Sequence, residues 1–285
     1  MEIIKKGIDG FTIKILALIL MTFDHIGEFM PESMNIPVWF HWLGRIVAPL
    51  FIFMVAEGFY HTRNRKKYIG RLYVWSVIMM IGNTFIQRLV HHPNDIAIIN
   101  NIFATMFLIT IYLQGIEFIR RYKLEKEFKF MFYGLLLIIG PLIIGGILLV
   151  TLAFLPMTLI QIVMIFIPTP FLVEGGVAWI ALGIIIYLCR GKKVVLSIFY
   201  IVFTVFIFIS GAHGDYSIRD SFLNNYQWIM IGALPLMLLY NGQKGRGMKY
   251  LFYAYYPIHI YLLYVLGILL IKWTYESLYN IALTT

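Results

Sequence analysis

Apolar residues run in long stretches separated by short polar or basic segments, at roughly 11–30, 43–61, 72–90, 98–119, 130–151, 173–189, 194–212, 226–240 and 251–272. A helix rises ~1.5 Å per residue, so about 20 apolar residues cross a hydrocarbon core of ~30 Å. Lipid offers no water to backbone N–H and C=O groups, so each such stretch predicts a helix that satisfies them internally. The expected fold class is therefore all-α: a polytopic integral membrane helical bundle of about nine or ten transmembrane helices, with residues 1–285 forming a single transmembrane domain. One further stretch, TLAFLPMTLIQIVMIFIPTPFL at 151–172, is cut by Pro156, Pro168 and Pro170. Its uninterrupted apolar part is short, which predicts a re-entrant or interfacial segment near 153–172 in preference to a tenth span.

Composition agrees with lipid as the solvent: 61% of the residues are apolar, 13% are charged, and the mean hydropathy is +0.83. No water-soluble domain of this size has that balance. The net charge of +9 is concentrated in MEIIKK, HTRNRKKYIGR (61–71), RRYKLEKEFK (120–129), RGKK (190–193) and NGQKGRGMKY (241–250). Alternate spans bring these segments to one side, expected to be cytoplasmic, in a cell inner or plasma membrane with the amino terminus inside. Positive charge spread over membrane loops speaks against nucleic-acid binding. The first apolar run is as long as a full span and reads as a helix, not a cleavable signal. The single cysteine, Cys189, has no disulfide partner and no metal-ligand spacing.

Ionisable residues within the spans carry the most information, because each is costly in lipid unless paired or facing a polar cavity. They are Asp24 and His25 in the first span, Arg45 and Glu57 in the second, Glu174 at the start of the sixth, and His259 in the last. Asp24 and His25 are neighbours in sequence, so they point ~100° apart on a helix and need not touch one another. His25 fits a structural histidine or a general base; no second His lies at i+3 or i+4, so no metal is expected. His259 follows Pro257, and a proline within a helix frees a carbonyl and bends the chain where a helix lines a cavity. It reads as a second site residue or as a packing histidine. Arg63, Arg65, Lys66, Lys67 and Arg71 form the densest basic loop, which serves as a topology signal or as a site for a polyanion such as a lipid head group or a phosphorylated cofactor.

The stretches KILALILMTFDHIGEF, WLGRIVAPLFIFMVAEGFYHTRNRKKYIGRL (42–72), FLVEGG (171–176) and YNGQKGRGMKYLFYAYYPIHIYLLY (240–264) resemble the TraX family of membrane proteins in content and order. The distinctive pieces are DH at 24–25, GR with a following P-x-F at 44–51, EGF-x-H-T-R at 57–63 and YP-x-H at 256–259. The best-known member of that family acetylates the amino-terminal residue of F-type conjugative pilin, so the resemblance implies an acetyl-CoA-dependent N-acetyltransferase. A more distant similarity, to membrane-embedded sugar O-acetyltransferases, aligns His25 with a catalytic histidine and the Arg63–Arg71 loop with an arginine-rich one. Those enzymes carry a serine in a Ser-Gly-Phe turn where this chain has Ala56-Glu57-Gly58-Phe59.

Acyl transfer from a thioester needs a base for the acceptor, donors for the developing oxyanion and cations for the CoA phosphates. The expected assignment makes His25 the base and Asp24 its orienting or charge-balancing partner. Arg45 either pairs with Asp24 or polarises the thioester carbonyl, and His259 is a second catalytic residue. Arg63, Arg65, Lys66, Lys67 and Arg71 hold acetyl-CoA, and Glu57, Glu174 and Tyr256 face the acceptor. The expected partners are that acceptor, a peptide amino terminus, an amino sugar or a glycan hydroxyl, and the lipid bilayer, and the oligomeric state stays open. The rival class is a small-solute or proton-coupled transporter using Asp24 and His25, which would show broken helices in matched halves. A passive scaffold would leave buried Asp24, His25 and Arg45 without a purpose.

Overall fold

The computed structural model describes residues 7–93, 96–152, 154–212, 214 and 216–284, with the side chains of 157, 249 and 275–284 left out of that description. The basic segment at 1–6 falls outside the described residues. The elements run α1 (Gly10–Phe29), a 3-10 turn (Glu32–Met34), α2 (Trp39–His61), α3 (Arg65–Leu89), α4 (Ile102–Glu125), α5 (Phe128–Thr151) and α6 (Met157–Phe166). There follow α7 (Gly176–Leu188), α8 (Lys193–Gly211), α9 (Ile218–Leu223), a 3-10 turn (Tyr226–Gly232), α10 (Ala233–Leu239) and α11 (Lys249–Thr284). Among the described residues there is no strand, only an isolated parallel bridge between Ile8 and Tyr240.

Among the described residues, seven helices are long and apolar enough to cross a membrane: α1, α2, α3, α4, α5, α8 and the part of α11 over Tyr250–Thr274. The protein is an all-α, polytopic membrane protein. Two of the expected spans are shorter than their apolar runs. Gly175 and Gly176 take positive φ values of 70° and 54°, so the turn they form delays α7 and leaves it 13 residues. Over 226–240, Pro235 has no N–H to give the carbonyl of Ile231, and the segment divides into a 3-10 turn followed by the seven-residue α10. The stretch at 151–172 holds only the 10-residue α6, ~15 Å long and too short to cross. Pro156 sits at its start, and Pro168 and Pro170 follow its end.

The chain forms two compact units, one of Met1–Phe51, Gly82–Ile98 and Ser197–Thr285, the other of Ile52–Ile81 and Ile99–Leu196. In the first, α1 buries a stripe at four-residue intervals, Ile13, Ala17, Met21, His25 and Phe29, and packs on α11. The approach is close: a Cβ on Gly267 of α11 would lie 2.0 Å from the Phe29 carbonyl oxygen. α1 begins at Asp9, whose carboxylate accepts from the Thr12 N–H at 2.8 Å, and ends before Pro31. In the second unit, α4 and α5 form an antiparallel hairpin that meets at Gly115 and Gly134, where a Cβ on either would lie 3.0 Å from the other's carbonyl oxygen.

Candidate functional site

His25 occupies a core position of the α1 stripe and is 4% exposed. Its Nδ1 lies 2.7 Å from Nε2 of His259, which is itself 7% exposed on α11. The Nδ1 of His259 lies 2.7 Å from the Tyr255 carbonyl oxygen. A carbonyl oxygen only accepts, so Nδ1 of His259 carries the proton. In the neutral ring Nε2 is then the acceptor, and His25 donates to it through Nδ1. The chain of acceptors thus fixes the tautomer of His25 and makes its Nε2 the basic nitrogen, on the side of Glu28 at 3.7 Å. Aromatic rings hold both imidazoles in plane: Phe29 stacks on His25, Tyr255 stacks on His259, and Tyr256 meets His259 edge-on. The Tyr255 hydroxyl shares a 2.6 Å hydrogen bond with Thr22 Oγ1, a second tie between α11 and α1.

Asp24, one residue before His25, turns instead toward α2. Its Oδ1 accepts from His41 Nδ1 at 3.1 Å, and Arg45 Nη2 lies 3.1 Å from both carboxylate oxygens. Arg45 also donates to Gln227 Oε1 at 3.2 Å and sits over the Tyr226 ring, and His41 stacks on that same ring. Asp24 reaches this position because α2 carries Gly44 there: a Cβ would lie 2.0 Å from the Asp24 Cγ. Reciprocally, the His41 ring lies over Gly27 of α1, where a Cβ would come within 2.9 Å of His41 Cε1. The expected Arg45–Asp24 pair is therefore present. The hydrogen bond that orients His25, by contrast, is donated to His259 and not to Asp24.

The basic loop and the two remaining acidic candidates belong to the other unit. Arg65 directs Nη1 and Nη2 to Glu117 Oε2, each at 3.2 Å, above the Phe59 ring. Arg120 holds Glu117 Oε1 at 2.7 Å and lies over Tyr187, whose ring packs edge-on to Phe59. Arg65, expected to be free for a phosphate, is thus engaged by a carboxylate on α4. Arg63, Lys66 and Lys67 are exposed, and among the described residues no carboxylate pairs with them; Arg71 is half-buried on α3. Glu57 is 7% exposed and paired with Arg190 at 2.9 Å and His61 at 3.4 Å, with Arg190 stacked on Tyr60. The Glu174 carboxylate accepts from the Asn101 N–H at 2.9 Å and its carbonyl from Thr105 Oγ1 at 2.6 Å, so this residue ties the turn before α7 to the start of α4. The structure gives both acids partners within their own unit, and the role of facing an acceptor receives no geometric support from these contacts. Among the described residues, no group of three His, Cys, Asp or Glu side chains is arranged to hold a metal ion.

The family model for TraX protein matches residues 9–267, which takes in the histidine pair, the Asp24 cluster and the basic loop. The chain belongs to the TraX family. A 70-residue stretch is also 37% identical to "Probable fimbrial assembly protein FimC, serogroup H1" of Dichelobacter nodosus, covering 24% of this chain and 29% of that relative. The chain therefore spans under a third of the length of this curated relative. No solved structure matches.

In this TraX-family chain the residues that sequence reasoning passed over are His41 and Gln227. The second span was expected to start at 43, which left His41 in a loop. The structure begins α2 at Trp39, four residues ahead of the expectation, and so sets His41 and Arg45 on one face at i and i+4. H-W-L-G-R is a legible signal of that pairing once the helix start is known. Gln227, in a 3-10 turn 182 residues from Arg45, has no local signal at all.

Proposed function

We propose that this TraX-family protein is a membrane-embedded acetyltransferase that moves an acetyl group from acetyl-CoA to an amine or hydroxyl acceptor. The observation that carries the reading is the imidazole pair: His25 donates through Nδ1 to His259, so Nε2 of His25 is the nitrogen that takes the acceptor's proton. A buried imidazole held in one tautomer by a partner that accepts from its other nitrogen is the equipment of a general base. His259 acts through His25, as a positioning residue.

The exposed cations Arg63, Lys66 and Lys67 suit the phosphates of the co-substrate, since among the described residues no carboxylate neutralises them. Arg65 and Arg71 flank them on α3, with Arg65 shared with Glu117. Membership of a family whose best-known member acetylates a pilin amino terminus supports the same chemistry. The 70-residue likeness to a relative named as a fimbrial assembly protein favours a pilin-type peptide amino terminus among the acceptors.

Calorimetric titration of the detergent-purified protein with acetyl-CoA and with CoA tests the reading. Micromolar binding is expected, lost when Arg63, Lys66 and Lys67 are replaced together by alanine. His25→Ala is expected to bind normally and to transfer no acetyl group. Absence of binding for both ligands overturns the proposal, and the buried histidines would then belong to a transport path.

A further inference from the structure

The Asp24–His41 contact has the same form as the contact between His25 and His259, yet the reaction above leaves it unused. A carboxylate accepts, so the hydrogen bond from His41 to Asp24 Oδ1 places the proton on Nδ1. The neutral ring then carries its lone pair on Nε2, and among the described residues no protein group bonds that atom. His41 is 28% exposed at its side chain, whereas that of His25 is 6% exposed. His41 sits against α1 beside His25 in sequence: it bonds Asp24 and lies over Gly27, one residue before His25 and two after it. The charged and titratable groups that face His41 are Asp24 from α1, Arg45 on its own helix and Tyr226 from the 3-10 turn, with His25 next in sequence to Asp24.

The geometry points to His41 as a second proton-carrying residue of the acetyl transfer, with Asp24 its positioning residue and an ammonium-bearing acceptor as its substrate. This rests on the acetyltransferase reading. An amine near neutral pH arrives largely as the ammonium ion, which has no lone pair to attack with. His41 Nε2 takes one proton from it, and the Asp24 carboxylate balances the resulting imidazolium. The freed amine forms the C–N bond to the acetyl carbon. His25 Nε2 removes the second proton from that nitrogen as the C–S bond breaks, and returns it to the departing thiolate. The sum is ammonium plus thioester giving amide, thiol and one proton, which leaves from His41. Two bases are needed because two protons leave nitrogen and only one of them ends on sulfur.

The test compares two probe acceptors with the full-length protein in detergent. Glycinamide is mostly protonated near pH 7; hydroxylamine, a weaker base, is neutral there. His41→Asn places an amide N–H where Nδ1 stood, so it keeps a donor for Asp24 and removes the base. It is expected to slow transfer to glycinamide by about 10- to 100-fold at neutral pH, with recovery toward the intact rate as the amine deprotonates itself at higher pH. Transfer to hydroxylamine should stay within about twofold, which also reports that the variant folds. An equal loss for both acceptors at every pH means a structural role and overturns the proposal. If the intact protein acetylates hydroxylamine but not glycinamide near neutral pH, the proposal falls and the acetyltransferase reading stands. Transfer to neither acceptor by the intact protein overturns both.

Discussion

His25 on α1 donates through Nδ1 to Nε2 of His259 on α11, at 2.7 Å and across 234 residues of sequence. The bond does two things at once: it satisfies a buried donor in a position where lipid or apolar side chains offer none, and it fixes which nitrogen of His25 is basic. Removing the acceptor separates these effects. His259→Ala leaves His25 Nδ1 without its partner and is expected to lower stability by about 1–3 kcal/mol, read as a fall in melting temperature in detergent. On the acetyltransferase reading it also lowers turnover by about 100-fold, and His259→Gln, whose Oε1 accepts where Nε2 did, restores part of both the stability and the rate.

Gly44 is expected to tolerate no side chain. Its α-hydrogen faces the Asp24 carboxyl, and a methyl group there would stand 2.0 Å from Cγ with helix backbone on both sides. Gly44→Ala should push α1 from α2, break the Asp24–Arg45 pair and cost about 1–3 kcal/mol. Gly146→Ala, which meets nothing within 4 Å, is the control and should leave the melting temperature unchanged.

The Asp24–Arg45 pair is expected to show strong coupling in a double-mutant cycle. Their side chains are 15% and 29% exposed, and removing either leaves the other charge poorly solvated. Asp24→Asn and Arg45→Met should each cost about 2–4 kcal/mol, and the double variant distinctly less than their sum. The exposed pair of Arg121 and Glu125, at 53% and 39%, should show coupling of at most about 0.5 kcal/mol in the same measurement.

Glu117 neutralises two arginines, Arg65 and Arg120, at the basic end of the second unit. Replacing it with glutamine frees both guanidinium groups for an anion. Glu117→Gln is therefore expected to tighten binding of CoA by up to about tenfold, an effect that shrinks as salt is raised. Weaker binding in calorimetry would mean that the carboxylate holds Arg65 in its binding position.

Asp9 gives a pH signature at the start of α1. The backbone N–H of Thr12 holds its carboxyl below the usual carboxylate range. A group with a lowered folded-state value contributes stability above its unfolded value, and that contribution is lost as pH falls through the folded one. Asp9→Ala should cost about 1 kcal/mol at neutral pH, with the gap in melting temperature narrowing below about pH 4.

Much of the fold was legible from sequence because the physics that sets it is local. A run of about 20 apolar residues has one stable state in lipid, the helix, so the first five spans, the one at 194–212 and the last were all readable, the boundaries of the third and fourth missing by several residues. The proline breaks that shorten α6 were visible too, whereas the Gly175–Gly176 turn that delays α7 and the 3-10 turn over Tyr226–Gly232 were not separable from an apolar helix by hydropathy. The motif residues were also readable, since ionisable groups at membrane depth are costly and so carry meaning.

Partner choice was decided only in three dimensions. The sequence determined that Asp24 and His25 point in different directions, because adjacent helical residues diverge by ~100°. It could not determine which helix each one meets. The tertiary structure gave His25 to α11 and Asp24 to α2, brought His41 to the acid and Gln227 to Arg45, and tied Arg65 to Glu117. The reason is physical: hydropathy and helical period are properties of one segment, whereas a hydrogen bond between segments depends on where small residues such as Gly44 and Gly27 let two backbones approach.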